Sequence, residues 1–293
     1  MGSDYDDPYR IRAEQLRRRV YQIERLAAMP QVAWQLMQVM RDEWPDPDRL
    51  ETIIASDQAL AAKVLSLANS VYYGLMEKTT TIQRAIVVIG YRELQFLALG
   101  AGLAGVFDLR QVPPGLDADG LWLHCLTVSW LARELATASG HPSPAEVMIA
   151  GLLHDLGLLV LATHLKDELV KILELMDRGL PFYQAEEVLG LSHATIGFWL
   201  AQRWNLPEVH AAAIRDHHAP KPDDPNFPTT CLVSLADELA KKLDFGLAYK
   251  ARPLGQPIPL EAIRLNLLEI RSVASKAVTL VPPMLDSWRL MLT

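Results

Sequence analysis

The chain is 293 residues long and half hydrophobic, enough to bury one large core or two smaller ones. A net charge of −7 argues against the broad basic surface that general nucleic-acid binding needs, so no nucleic-acid partner is expected. The two cysteines, Cys125 and Cys231, form no CxxC, which excludes a disulfide framework or a Cys-type zinc site and fits a reducing cytoplasm.

The N-terminus, MGSDYDDPYR, is acidic and lacks the apolar stretch of a secretory signal. From about Tyr9 to Leu26 the pattern is a charged helix, with Arg17, Arg18 and Arg19 on its wet face. Pro30 suits the first turn of a helix from Gln31 to Arg41, where Val32, Leu36 and Met40 share one side. A rigid Trp44-Pro45-Asp46-Pro47 turn leads to a helix over Asp48–Ser56. Ser56 is the expected N-cap of Asp57–Ala68, whose buried stripe is Leu60, Val64, Leu67 and Ala68. A short amphipathic helix ends at Gly90, and Tyr91–Phe107 reads as a core helix. Pro, Gly and Asp crowd Gln111–Gly120, the best candidate boundary.

Beyond it, Leu121–Ser139 carries His124, and Ala145–His164 carries His154 and Asp155 on one apolar helix. Lys166–Arg178 and Pro181–Leu189 follow. Ser192 caps His193–Trp204, the next helix carries His217-His218 and stops at Pro220, and Thr229–Leu243 carries Asp237. After an irregular link, Ile258–Val281 reads as a helix ended by Pro282-Pro283. The expected architecture is all-α. The most apolar run, Val147–Leu165, is interrupted by His154, Asp155 and His164, so neither a transmembrane span nor a membrane partner is expected.

The stretch GLLHDLG, Gly151 to Gly157, sets a His and an Asp side by side in apolar surroundings. Such groups are costly there unless paired or bound to metal. Any single histidine in an apolar helix is ordinarily a satisfied core residue. Here, however, His124, His154-Asp155, His193, His217-His218 and Asp237 recur in order on successive helices. A helical bundle can aim such side chains at one point. His124, His154, Asp155 and Asp237 would make one metal set; His193, His217 and His218 would hold a second metal or a ligand, with Asp155 bridging. Mixed imidazole and carboxylate donors admit a divalent ion such as Fe, Mn, Zn or Ni. Outside the pattern, His141 reads as loop, His164 as a wet helix end, and His210 as a neighbour on the face of His217.

The order H…HD…H…HH…D resembles the HD superfamily of metal-dependent phosphohydrolases, in arrangement closest to the HD-GYP cyclic-dinucleotide phosphodiesterases. The segments LAAMPQVAWQLMQVM, IIASDQALAAKVLSLANSVYYG, TTIQRAIVVIGYRELQFLAL, SHATIGFWLAQRWNLP and AAIRDHH resemble the narrower HDOD family, the HD-related output domain of bacterial signalling. The resemblance runs from about Leu26 to Leu243. It implies an N-terminal helical subdomain packed on an HD-like core, and a regulatory role usually without demonstrated enzymatic activity. The implied organisation is an N-terminal extension (1–25), a helical subdomain (26–110), an HD-like subdomain with the metal-type residues (117–243) and a C-terminal helical extension (244–293). Asn69, Ser70, Tyr72 and Tyr73 resemble the family's N-terminal signature, and Asn69, Ser70 and Tyr73 are candidates for a partner or ligand surface.

Two departures matter. Leu158 stands where catalytic relatives often carry Lys, which removes a positive charge from a site that must stabilise developing negative charge. Ala219-Pro220-Lys221-Pro222 follows His217-His218 with no GYP-like motif. The expected function is therefore a cytoplasmic signal-transduction protein, non-catalytic, acting through signalling-protein partners or a bound nucleotide ligand. The alternative is a metal-dependent phosphohydrolase of cyclic nucleotides or dinucleotides.

Overall fold

The computed structural model describes residues 8–26, 28–40, 44, 46–70, 73–107, 112–245 and 257–292, and among these there is no strand. The chain divides into two compact units, Met1–Ala28 with Asp108–Ile270, and Met29–Phe107 with Arg271–Thr293.

Helix α1 (Pro8–Gln22) and a 3-10 turn (Glu24–Leu26) open the larger unit. The smaller unit is built from α2 (Gln31–Met40), α3 (Pro47–Ala55), α4 (Gln58–Ala68), α5 (Ile82–Ile89) and α6 (Tyr91–Ala104). Polar caps start these helices: Asp46 accepts from the Arg49 amide at 2.9 Å and Thr81 from the Arg84 amide at 3.2 Å. Helix α4 is capped by Asp57, which accepts from the Leu60 amide at 3.0 Å, and not by the expected Ser56. The Ser56 hydroxyl turns back to the Ile53 carbonyl at 2.7 Å. A carboxylate at a helix N-terminus also gains from the helix dipole, which a hydroxyl does not. Between α5 and α6 the axis swings by 113° at Gly90, whose φ of +94° belongs to the region that favours glycine.

In the larger unit follow α7 (Ala118–Ala138), α8 (Pro144–Leu153), α9 (Leu156–His164), α10 (Lys166–Asp177), α11 (Phe182–Leu189), α12 (His193–Arg203), α13 (Glu208–Asp216) and α14 (Phe227–Lys242). Asp117 caps α7 through the Gly120 amide at 2.9 Å, and Ser192 caps α12 through the Thr195 amide. Helix α7 packs on α8 and α14, α12 packs on α9 and α13, and α1 lies on α12. Arg203 donates to the Val20 and Ile23 carbonyls at 2.8 and 3.0 Å, Trp204 donates to the Leu26 carbonyl at 3.0 Å, and Arg19 pairs with the buried Glu168. Arg17 and Arg18 are exposed, on the wet side of that helix.

Two expectations are corrected. The helix read as ending at Pro282-Pro283 is α15 (Leu267–Leu292), which starts later and runs through both prolines. Its start is fixed by Asn266, whose side chain accepts from the Leu268 and Glu269 amides at 2.9 and 3.1 Å while Glu269 accepts from the Asn266 amide at 2.8 Å. Its far end buries Trp288 edge-on to Phe96, ring centres 5.7 Å apart, a large apolar gain that favours continuing past the prolines. The second correction is that the apolar run 144–164 is two helices, broken at His154-Asp155. That stretch is long and apolar enough to cross a membrane, yet 89% of its most apolar window is buried inside the protein.

Candidate metal centre

The break between α8 and α9 is what presents His154 and Asp155. Asp155 leaves helical geometry (φ −98°, ψ 22°), and the His154 Nδ1 meets the Gly151 carbonyl at 2.8 Å. His124 lies in the second turn of α7 and Asp237 in the third turn of α14. His193 is the first residue of α12. His217 and His218 do not lie within a helix, as expected from the sequence, but just past the end of α13.

These segments converge. His124 Nε2 is 3.0 Å from Asp237 Oδ1 and 3.9 Å from Asp155 Oδ2. His154 Nε2 is 3.2 Å from Asp155 Oδ2 and 3.8 Å from Asp237 Oδ1. The other oxygen of Asp155, Oδ1, is 3.4 Å from His193 Nε2 and 3.6 Å from His217 Nε2. His193 and His218 bring their Nε2 atoms to 3.0 Å of each other. Asp155 thus has one oxygen toward His124 and His154 and the other toward His193 and His217. The donor atoms of His124, His154 and Asp155 lie within 4.8 Å of one another, as do those of His193, His217 and His218. Donors bound at about 2 Å to one ion lie about 3 Å apart, a spacing that the contacts of 3.0 to 3.9 Å above approach.

The outer faces of the rings are anchored. Nδ1 of His124 meets the Phe245 carbonyl at 3.2 Å, that of His217 the Ile214 carbonyl at 3.0 Å, and that of His193 the Glu186 carboxylate at 2.9 Å. Together with the His154–Gly151 bond, each of these four Nδ1 atoms faces an acceptor, which turns Nε2 inward as the atom a metal would bind on displacing its proton. This is the outer-shell arrangement that orients metal-ligating histidines. The buried Nε2 of His217, which faces Asp155 Oδ1, has no hydrogen-bond partner, a costly condition that a bound cation would relieve. The residues present therefore fit a pair of divalent ions.

Electrostatics in the ion-free protein point the same way. Burial pulls His154 down, but Asp155 and Asp237 outweigh it and raise it to about 10. Burial pushes Asp155 up, yet His154, His193 and His217 hold it well below the usual carboxylate range. Asp237 is likewise lowered against its burial, chiefly by Lys241 and then by His124 and His154. His217 is depressed to about 3 by burial and by the charge of His154, and His218 is depressed by burial and by His217 and His193. Protons thus balance the two aspartates where metal charge otherwise would.

All seven expected residues meet at this one place. Sequence reading missed Glu186, Lys241, Ser234 (which donates to the His217 carbonyl) and the pair Gly157 and Gly197. Lys241 was findable, four residues after Asp237 on one helix. Asn69 of the second candidate group is engaged internally: its amide donates to the Leu65 and Thr79 carbonyls, both at 2.8 Å, and accepts from the Thr79 amide at 2.7 Å. It closes α4 and clasps the following loop. Ser70 is half-buried with its hydroxyl unpartnered, Tyr73 is half-buried, and Tyr72 lies outside the described residues.

An all-α chain whose helices converge on a buried His/Asp centre defines a helical protein of the HD class. The HDOD domain profile matches residues 26–220, and the chain belongs to the HDOD domain family. An uncharacterised protein of Treponema pallidum is 30% identical over 237 residues, 78% of this chain and 45% of its own length, so the chain spans under half of that relative. An HDOD domain protein of unknown function from Geobacter sulfurreducens superposes with a TM-score of 0.76 at 25% identity, covering 95% of this chain and 98% of that one. A candidate signal transduction protein from Marinobacter aquaeolei superposes with a TM-score of 0.75 at 20% identity, covering 99% and 68%, a likeness of fold.

Proposed function

We propose that this chain is a cytoplasmic signal-transduction protein whose centre binds two divalent metal ions and whose occupied state is passed to protein partners. The observation that carries the metal reading is the anchoring of four Nδ1 atoms, which turns four Nε2 atoms toward two buried aspartates. His124, His154, Asp155 and Asp237 would hold one ion; His193, His217 and His218, with Asp155 shared, would hold the other. The two buried, unpaired cysteines suit a reducing compartment. A non-catalytic role is favoured by Leu158, buried and apolar where catalytic relatives often carry Lys.

Metal-dependent phosphohydrolysis is the second reading, favoured by the way Asp155 divides its oxygens between the two histidine sets. Paired divalent ions supply Lewis-acid charge and an activated water for phosphoester cleavage. Elemental analysis of protein purified without chelator or a His-tag column, beside Asp155→Ala, tests the metal reading. Near-stoichiometric Fe, Mn, Zn or Ni in the wild type, lost in the variant, is the expected result. No metal in either sample, with folding intact, refutes it. Turnover of cyclic mono- or dinucleotides by the metal-loaded protein would decide for the hydrolase.

A further inference from the structure

Among the described residues, Lys241 is the lysine or arginine that pairs with a member of the His/Asp set, through Nζ to Asp237 Oδ2. The other oxygen of Asp237 is left to His124 and His154. An ammonium has three donors, and this ion pair uses one. Lys241 is also placed differently from the ligand-type residues. His124, His154, Asp155, His193, His217 and Asp237 are buried, whereas the Lys241 side chain is 16% exposed and His218 is half-buried. Those two residues form the side of the centre nearest solvent.

Two divalent ions would exceed the negative charge of Asp155, Asp237 and Glu186, and Lys241 adds to the excess. A partly desolvated centre of net positive charge binds anions, and a phosphate group can bridge ions and an ammonium at once. Leu158, 5% exposed, offers no charge for this.

We infer that Lys241, partly exposed beside Asp237, is the anion-recognising group of this centre, so that the ligand it takes carries a phosphate. This rests on the metal reading above. Lys241 here binds ligand from α14, a different element from the one where catalytic HD relatives often place their lysine.

The test is calorimetric titration of inorganic phosphate into the metal-loaded full chain, as wild type, Lys241→Met and Lys241→Arg, with metal content measured in each sample first. Loss of a charged hydrogen bond should weaken phosphate binding about tenfold or more in Lys241→Met, while Lys241→Arg stays within about threefold of wild type. Metal content should stay equal across the three. Equal phosphate affinity in wild type and Lys241→Met at equal metal content overturns the inference, as does failure of metal-loaded wild type to bind phosphate. Loss of metal in Lys241→Met, with full retention in Lys241→Arg and no phosphate binding by either, assigns Lys241 to holding Asp237 alone and also overturns it. Absence of metal from the wild type refutes the metal reading itself, and the phosphate site with it.

Discussion

Gly157→Ala should disable one half of the centre while sparing the other. Gly157, the second residue of α9 and two after Asp155, meets the start of α12 at His193 and Gly197. A Cβ at Gly157 would lie 1.8 Å from the His193 carbonyl oxygen and 2.7 Å from the Gly197 amide nitrogen. All three nearest atoms are backbone, so no side chain can swing aside. Ordinary contact begins at 3.4 Å, so the crossing must open by about 1.6 Å. His193 starts α12 and would move with it, carrying its Nε2 from 3.4 Å to as much as about 5 Å from Asp155 Oδ1. Overpacking of this kind costs about 1–3 kcal/mol or more. His124, His154 and Asp237 sit on other segments. The expected result is a fall from two bound ions to one, a lower urea midpoint and unchanged helical circular dichroism. Two ions and an unchanged midpoint would show that α9 and α12 do not cross this closely.

Asp155→Asn removes the carboxylate whose oxygens face both histidine sets, so elemental analysis should show both ions weakened, whereas Asp237→Asn should weaken chiefly the one beside His124 and His154. Glu186→Gln keeps an acceptor for His193 Nδ1 but removes its charge, and titration of the apoprotein should show the second ion about 10–100-fold weaker with the first unchanged; equal loss of both would refute the division into two sets. The metal-free protein should be most stable near pH 6.5. His154 is raised to about 10, so its stabilisation is full below the unfolded value of 6.5 and lost as pH rises through 10. His217, depressed to about 3, and His218, also depressed, stabilise fully only above 6.5, and that contribution is lost as pH falls. Thermal midpoints of chelated protein between pH 4 and 10 should trace this dome, and a midpoint still rising from pH 7 to pH 10 would contradict the pairing of His154 with Asp155 and Asp237.

Periodicity and caps made most helices legible, because Asp117, Ser192 and the stripe on α4 are local signals. The His/Asp order carried the centre, because those residue types in apolar helices have few other uses. The break at His154-Asp155 was not legible: the run around it is apolar on every side, so it has no periodicity to interrupt. Glu186 was missed because it reaches His193 across Gly190, which takes a left-handed turn, and no helical spacing links the two. The crossing at Gly157 and Gly197 depends on two glycines forty residues apart that only the packed structure pairs.

The two halves of the centre are held in different ways, and this bears on the proposed passing of its occupied state to partners. His124 and His154 are oriented by the carbonyls of Phe245 and Gly151, groups that no side-chain substitution removes. His217 is oriented by the main chain of its own preceding helix. Only His193 depends on a side chain, Glu186, from a different helix, and it rides on α12, the helix to which Arg203 and Trp204 fasten the α1 segment. The half containing His193 is thus the one whose geometry is tied to elements outside the centre. If occupancy is to be transmitted, the physical connection available is from the second ion through His193 and α12 to α1. The first ion would be held among α7, the α8–α9 break and α14, by rings anchored on main-chain carbonyls.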